Sequence, residues 1–237
     1  MNGTASSRNT PMHLHILGTR GEIPKSAPRH RFHSGVLING KVMLDLGERT
    51  FLRFKPLAIF ITHLHPDHAA FVREPFAIRI PTYAPELGRY PFLRIAHAIT
   101  IDTHKVRPLP THHSSKVGSY AYLVEHLGKK ILYTGDIVWM DAKYRKQVGK
   151  LDCVITEASY LREGGLVRKD KRGKLYGHAG IPNLVRMFKP HTKRIILTHF
   201  GSWFFKDIEK SRRALAALAK KHKVEIIVGY DGMTLSV

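Results

Sequence analysis

His63, His65, Asp67 and His68 crowd into the stretch Thr62-His63-Leu64-His65-Pro66-Asp67-His68, and imidazole and carboxylate donors at that density suit first-row metal ions. His63 and His65 are two apart, so an extended backbone turns both to one side and offers one ion two imidazoles. Asp67 and His68 follow a proline, whose fixed φ bends the chain and directs them to a second ion beside the first. Two neighbouring ions lower the pKa of a shared water and neutralise a developing oxyanion. The chemistry on offer is therefore hydrolysis of a phosphodiester, lactone, thioester or lactam.

Such donors need rigid elements behind them. Leu57-Ala58-Ile59-Phe60-Ile61 is a short apolar run of strand type that ends at the motif. The same arrangement recurs where Ile131–Thr134 runs into Gly135-Asp136, where Cys153–Thr156 runs into Glu157, and where Arg194–Thr198 runs into His199. Val36–Ile38 and Val42–Leu44 flank Asn39-Gly40, whose residues accept the positive φ of a tight turn, so they form a hairpin that delivers Asp45. Met12–Leu17 alternates as a first strand, with His13 and His15 on one face as ordinary strand residues. Ile181, Leu184, Val185 and Phe188 recur at helical spacing, and 207–222 is a second helix with Ile208, Leu215 and Leu218 inward. Prolines at 75, 81, 85, 91, 108 and 110 exclude long helices between them. Glu225–Val228 closes a sheet, and Tyr230-Asp231-Gly232-Met233 resembles a final hairpin.

At 237 residues, 43% hydrophobic and 24% charged, the chain suits one domain over 12–237, preceded by a small, polar tail over 1–11 that should be disordered. Neither a run of eighteen apolar residues nor a secretory h-region is present, so a cytoplasmic protein with no membrane partner is expected. Cys153, the sole cysteine, sits in an apolar run and reads as a buried thiol. Lys and Arg number 39 against 18 Asp and Glu, a net charge of +21. That field favours a polyanionic partner, although a solvated basic surface would give the same count.

The His-x-His-x-Asp-His motif after an apolar strand resembles the metallo-β-lactamase superfamily. The resemblance implies an α+β fold of αββα type, two mixed β-sheets face to face with helices outside. It places one ion on His63, His65 and His113 and the other on Asp67, His68 and His199, with the Asp136 carboxylate bridging them and Asp45 orienting the site from behind. Asp45 as a turn cap and His112 as the ligand in place of His113 are the competing assignments. Two Zn2+ ions are expected, with Mn2+ or Fe2+ possible, and His65 stands where flavodiiron relatives carry glutamate.

Glu157-Ala158 and His178-Ala179-Gly180 resemble the paired glutamate and histidine loops of ribonuclease Z. That likeness makes His178 the contact to a scissile phosphate, Glu157 its orienting partner, and Asp67, Glu157 and His178 the catalytic set. The rival role for His178 is to cap the helix near Ile181. Residues 114–135 leave no room for the tRNA-gripping arm of that family. A phosphodiesterase or nuclease is the leading expectation, with a lactonase or thioester hydrolase as the alternative and a homodimer possible. Two basic loops, Arg20, Lys25, Arg29 and Arg31 and then Arg168, Lys169, Lys171, Arg172 and Lys174, would grip a phosphate backbone.

Overall fold

The computed structural model describes residues 11–237; the expected disordered tail lies, apart from Pro11, outside them. In chain order the strands and helices are β1 (His13–Gly18), β2 (Gly35–Ile38), β3 (Val42–Leu44), β4 (Ala58–Phe60), β5 (Thr82–Ala84), β6 (Leu93–Ile95), β7 (Ile99–Ile101), β8 (His104–Pro110), β9 (Tyr120–His126), β10 (Lys129–Tyr133), α1 (Ala142–Val148), β11 (Cys153–Ala158), β12 (Leu166–Lys169), β13 (Leu175–His178), α2 (Ile181–Phe188), β14 (Arg194–Phe200), α3 (Ile208–His222), β15 (Glu225–Val228) and β16 (Met233–Ser236). They build two seven-stranded sheets, ordered β16-β1-β2-β3-β4-β5-β6 and β15-β14-β11-β10-β9-β8-β7, and a separate ribbon, β12-β13. Both sheets are mixed: β3 to β6 run parallel in the first, and β10, β11, β14 and β15 in the second.

Alternation along the strands assigns the layers. Leu14, Ile16, Val36, Ile38 and Phe60 of the first sheet meet Tyr122, Ile131, Ile155 and Ile196 of the second in one buried layer. The intervening residues face outward. Those of the second sheet, among them Leu132, Val154, Ile195 and Leu197, lie under α2, which buries Leu184, Val185 and Phe188, and under α3, which buries Leu215 and half-buries Ile208 and Leu218. The Asp207 carboxylate starts α3 by accepting the Lys210 N–H at 2.9 Å. Among the described residues, no helix is long and apolar enough to cross a membrane.

Three details differ from the sequence reading. Leu37, Met43 and Ile59, on the outer face of the first sheet, are covered by short 3-10 turns at Arg49–Phe54 and Ala70–Val72 rather than by α-helices. The prolines of this region deny the N–H groups and φ freedom that a longer helix needs. Residues 230–233 do not join two strands of one sheet: β15 is an edge of the second sheet and β16 pairs antiparallel with β1 in the first. The basic segment after Tyr160 is not an irregular loop either. It pairs Leu166 with His178 and Lys169 with Leu175 as the β12-β13 ribbon.

Candidate metal centre

The motif side chains stand at the carboxyl ends of parallel strands in both sheets, the place where open α/β sheets leave a crevice. Asp45 follows β3, His63 to His68 follow β4, Asp136 follows β10, Ser159 and Tyr160 follow β11, and His199 lies at the end of β14. Two of these residues hold left-handed backbone, Asp45 at φ 61° and His199 at φ 52°. For side chains other than glycine such angles carry strain that surrounding packing must sustain, as is common at functional sites. At His199 the strain coincides with a slip in the β11-β14 ladder between Glu157 and Ala158. Gly135, at φ 55°, is required for a second reason: a Cβ there would lie 2.5 Å from the Thr62 hydroxyl.

Three imidazoles converge first. His63 Nε2 lies 3.0 Å from His65 Nδ1, which lies 3.2 Å from His113 Nε2. His63 turns its other nitrogen to Thr62 Oγ1 at 3.0 Å, and His113 Nδ1 donates to the Gly177 carbonyl at 2.8 Å. Bare lone pairs therefore face one another across a small space. Nitrogens bound tetrahedrally at 2.0–2.1 Å sit roughly 3.3 Å apart, close to this spacing. Burial drives His63 and His113 toward the neutral, ligating form, and burial together with His113 takes His65 to about 4.

A second set adjoins it. Asp67 Oδ2 lies 2.9 Å from His199 Nε2 and 3.8 Å from His68 Nε2. The Asp136 carboxylate stands between the two sets: Oδ1 is 3.3 Å from His68 Nε2 and from His199 Nδ1, while Oδ2 is 3.6 Å from His113 Nε2 and 3.9 Å from His63 Nε2. Buried His68 Nε2 and Asp136 Oδ1 make no hydrogen bond. A buried polar atom without a partner is costly, and a bound cation removes that cost for both. The residues therefore fit a dinuclear metal site. Burial opposes charge on His68 and His199, but Asp136 with Asp45 or Asp67 outweighs it and raises both. Burial likewise opposes ionisation of Asp67 and Asp136, yet the facing imidazoles hold both below the usual carboxylate range.

Behind the donors, Asp45 is fully buried and fully used. Its Oδ1 accepts the Thr62 N–H at 2.6 Å, and its Oδ2 accepts from Thr62 Oγ1 at 2.9 Å, Tyr133 Oη at 2.8 Å and His68 Nδ1 at 2.6 Å. The last bond leaves His68 Nε2 facing the site, the usual way a carboxylate orients a ligating imidazole. Tyr133 and the Gly177 carbonyl were not foreseen. A tyrosine in an apolar strand and a backbone oxygen carry no motif.

Glu157 is buried and accepts the Ile137 N–H at 2.7 Å on Oε1, while Oε2 accepts His178 Nδ1 at 2.8 Å. His178 Nδ1 also lies 3.7 Å from Asp136 Oδ2. Burial works against its charge, but Glu157 and Asp136 prevail and raise it to about 9. His178 is on β13, and the residue at the N-cap of α2 is Gly180, with no side-chain cap, so the capping role has no structural counterpart. His112 turns away: its Nε2 meets Asp141 Oδ1 at 3.1 Å, leaving His113 at the centre. Cys153 is buried, which pushes its thiol up to about 12.

A cavity of about 220 Å³ opens on His65, Asp67, Asp136, His178 and His199, with Tyr160 and Ile23 at its walls. The first basic loop reaches it through Gly21, Glu22 and Ile23, not through its cations. Arg20 donates to the Arg31 and Ile23 carbonyls, and the Arg29 guanidinium lies 3.5 Å over the Tyr230 ring. Lys25 and Arg31 are exposed. The second set sits on the ribbon, Arg168 and Lys169 on β12 and Lys171, Arg172 and Lys174 around its tip. A larger cavity, about 730 Å³ around His13, Asn39 and His104, lies by the β2-β3 turn, at the other end of that hairpin from Asp45.

The beta-lactamase superfamily domain matches residues 51–200. The chain belongs to the metallo-β-lactamase superfamily. It is a metal-binding hydrolase of that fold with a histidine-rich, buried metal site. No curated protein sequence matches it. Among solved structures it is similar to the metallo-β-lactamase fold protein YhfI from Bacillus subtilis, at 18% identity and TM-score 0.70 over 96% of this chain and 100% of that one. A diphosphatase from the PhnP family follows at 19% identity and TM-score 0.66, covering 96% and 98%. Human tRNase Z, short form, gives 19% and 0.62, covering 95% and 99%. At these identities the likeness is one of fold.

Proposed function

We propose that the chain is a dinuclear, zinc-loaded phosphodiesterase. The observation that carries this reading is the His178–Glu157 pair held against the Asp136 carboxylate. One ion would be held by His63, His65 and His113, the other by Asp67, His68 and His199, with Asp136 serving both. When bound, the ions supply positive charge for a developing phosphorane and bring a shared water toward ionisation at neutral pH.

The protein's own groups do the rest. Glu157 fixes the His178 ring through Nδ1, which leaves Nε2 as the atom available to a substrate oxygen. A histidine charged near neutrality can neutralise a phosphate oxygen and pass its proton to the departing alkoxide. A carbon ester needs no such second cation, and the net charge of +21 also favours an anionic substrate. The likeness to the PhnP-family diphosphatase and to tRNase Z, whose names denote phosphate-ester chemistry, supports the same class. The test is a hydrolysis panel of bis-p-nitrophenyl phosphate, a lactone, a glutathione thioester and single-stranded RNA and DNA, with and without chelator. Chelator-sensitive turnover of the diesters is expected. Turnover of the lactone or thioester alone would replace this reading with the carbon-ester one.

A further inference from the structure

The β12-β13 ribbon has two unlike faces. Directly opposed residues of an antiparallel pair share a face, and neighbours along a strand alternate. Leu166 opposes His178 and Arg168 opposes Tyr176, so Arg168 and Tyr176 lie on the face that carries His178. Val167 opposes Gly177 and Lys169 opposes Leu175, which puts Lys169 on the other face. Val167 and Leu175 line a separate groove with Trp139 and Met187, in keeping with that division. At the tip, the Asp170 N–H donates to the Lys174 carbonyl at 3.0 Å, which continues the pairing and adds Lys174 to the His178 face. The Asp170 carboxylate accepts the Arg172 and Lys174 N–H groups at 2.8 and 2.9 Å and gives the tip a defined turn.

The root of this ribbon is locked to the metal centre. Gly177 donates its N–H to the His113 carbonyl at 2.7 Å and accepts from His113 Nδ1 at 2.8 Å. Leading away from His178, this face thus carries Tyr176 beside Arg168 and then Lys174 beside Asp170, whose carboxylate is engaged by the Arg172 and Lys174 N–H groups of the turn. Each two-residue step along the face covers about 7 Å, about two stacked-nucleotide rises. A cation standing beside an aromatic face, with a second cation one step further on, suits a single nucleic-acid strand, which presents a phosphate and a base side by side at each nucleotide.

We propose that the ribbon is a single-strand arm: Arg168 and Lys174 take phosphates beyond the scissile one, and Tyr176 stacks on the base beside the phosphate that Arg168 holds. The substrate class is then an oligonucleotide rather than a small diester. This rests on the phosphodiesterase reading and extends it.

The test compares the parent with Arg168→Gln, Tyr176→Ala and Lys169→Gln on two substrates, bis-p-nitrophenyl phosphate and a fluorogenic single-stranded oligonucleotide. For Tyr176→Ala, kcat/KM should fall on the oligonucleotide by about 5- to 150-fold more than on the small diester, the range found for base-stacking aromatics. Arg168→Gln should show the same asymmetry, carried by KM. Lys169→Gln removes the same charge from the other face and should shift the two substrates by similar factors. Equal oligonucleotide losses in Arg168→Gln and Lys169→Gln would overturn the arm, because only the general field would then matter. A parent that cleaves the small diester but no oligonucleotide overturns the arm and leaves the phosphodiesterase reading standing. A parent that cleaves neither, and turns over a lactone or thioester instead, overturns both.

Discussion

Replacing Asp45 with asparagine probes how far the buried carboxylate governs one metal position and not the other. Four donors meet its two oxygens: the Thr62 N–H on Oδ1, and Thr62 Oγ1, Tyr133 Oη and His68 Nδ1 on Oδ2. An amide has one acceptor oxygen, so whichever way it is placed its NH2 meets at least one of these donors. Keeping the oxygen at the Oδ2 position confines the conflict to the Thr62 N–H, at a distance of 2.6 Å. One buried donor left unpaired costs about 1–3 kcal/mol, a fall in melting temperature of roughly 2–12 °C for a chain of this size. The larger consequence is for His68, which loses the negative charge that presents its Nε2 to the site. Loss of such an orienting partner weakens metal binding by about 10–100-fold. His63 is linked to Asp45 through Thr62, so an ion held, as proposed, by His63, His65 and His113 should weaken several-fold less. Competition titration with a zinc chelator, resolved into two steps, measures both affinities, and thermal denaturation of metal-free protein measures the stability term. Equal weakening of both steps, or no change in either, would refute the selective coupling of Asp45 to His68.

Three further outcomes follow from the geometry. His178→Ala should lower kcat by about 10²–10⁴ while zinc content by elemental analysis stays near two per chain; loss of metal along with activity would make His178 a ligand instead. Gly177→Ala should be more disruptive than its size suggests, because Gly177 sits at φ 110° and an added Cβ would lie 1.9 Å from the Leu166 carbonyl. Proteolysis within 165–178 and a lower kcat should appear together, and a variant with parental kcat would sever the ribbon from His113. His30 packs against Phe200, Phe204 and Phe205 and meets Thr19 Oγ1 at 2.9 Å; burial, with the charges of Arg212 and Arg29, lowers it to about 4. A histidine depressed in the fold contributes stability that is present above its unfolded pKa of about 6.5 and lost as pH falls toward 4, here about 2–3 kcal/mol. Urea unfolding at pH 7 and pH 4.5 should show that loss in the parent and a smaller one in His30→Asn, and identical losses would remove His30 from the acid response.

Much of the centre was legible because it is written in consecutive residues. The spacing of His63, His65, Asp67 and His68, and the short apolar runs ending at Asp136, Glu157 and His199, are local signals of strand and turn that hold in any tertiary setting. The α2 stripe of Ile181, Leu184, Val185 and Phe188 is local in the same sense. The choice of His113 over His112 is not local: adjacent residues in an extended segment point to opposite sides, and only the positions of His65 and Gly177 decide which side is the metal side.

Contacts between distant positions fall wholly to the tertiary structure. Tyr133 reaches Asp45 from the opposing sheet, a pairing set by the register of two sheets that no spacing within either strand specifies. The helices expected on the first sheet's outer face gave way to 3-10 turns. Its apolar residues, Leu37, Met43 and Ile59 among them, state that they must be covered but not by what. The basic residues show the limit most clearly. By composition Arg20, Arg29, Arg168 and Lys169 are alike, yet two are spent on carbonyls and a tyrosine ring and two lie on opposite faces of one ribbon. Charge is a property of a side chain and can be counted along a sequence, whereas direction belongs to the backbone that holds it and exists only once the chain has folded.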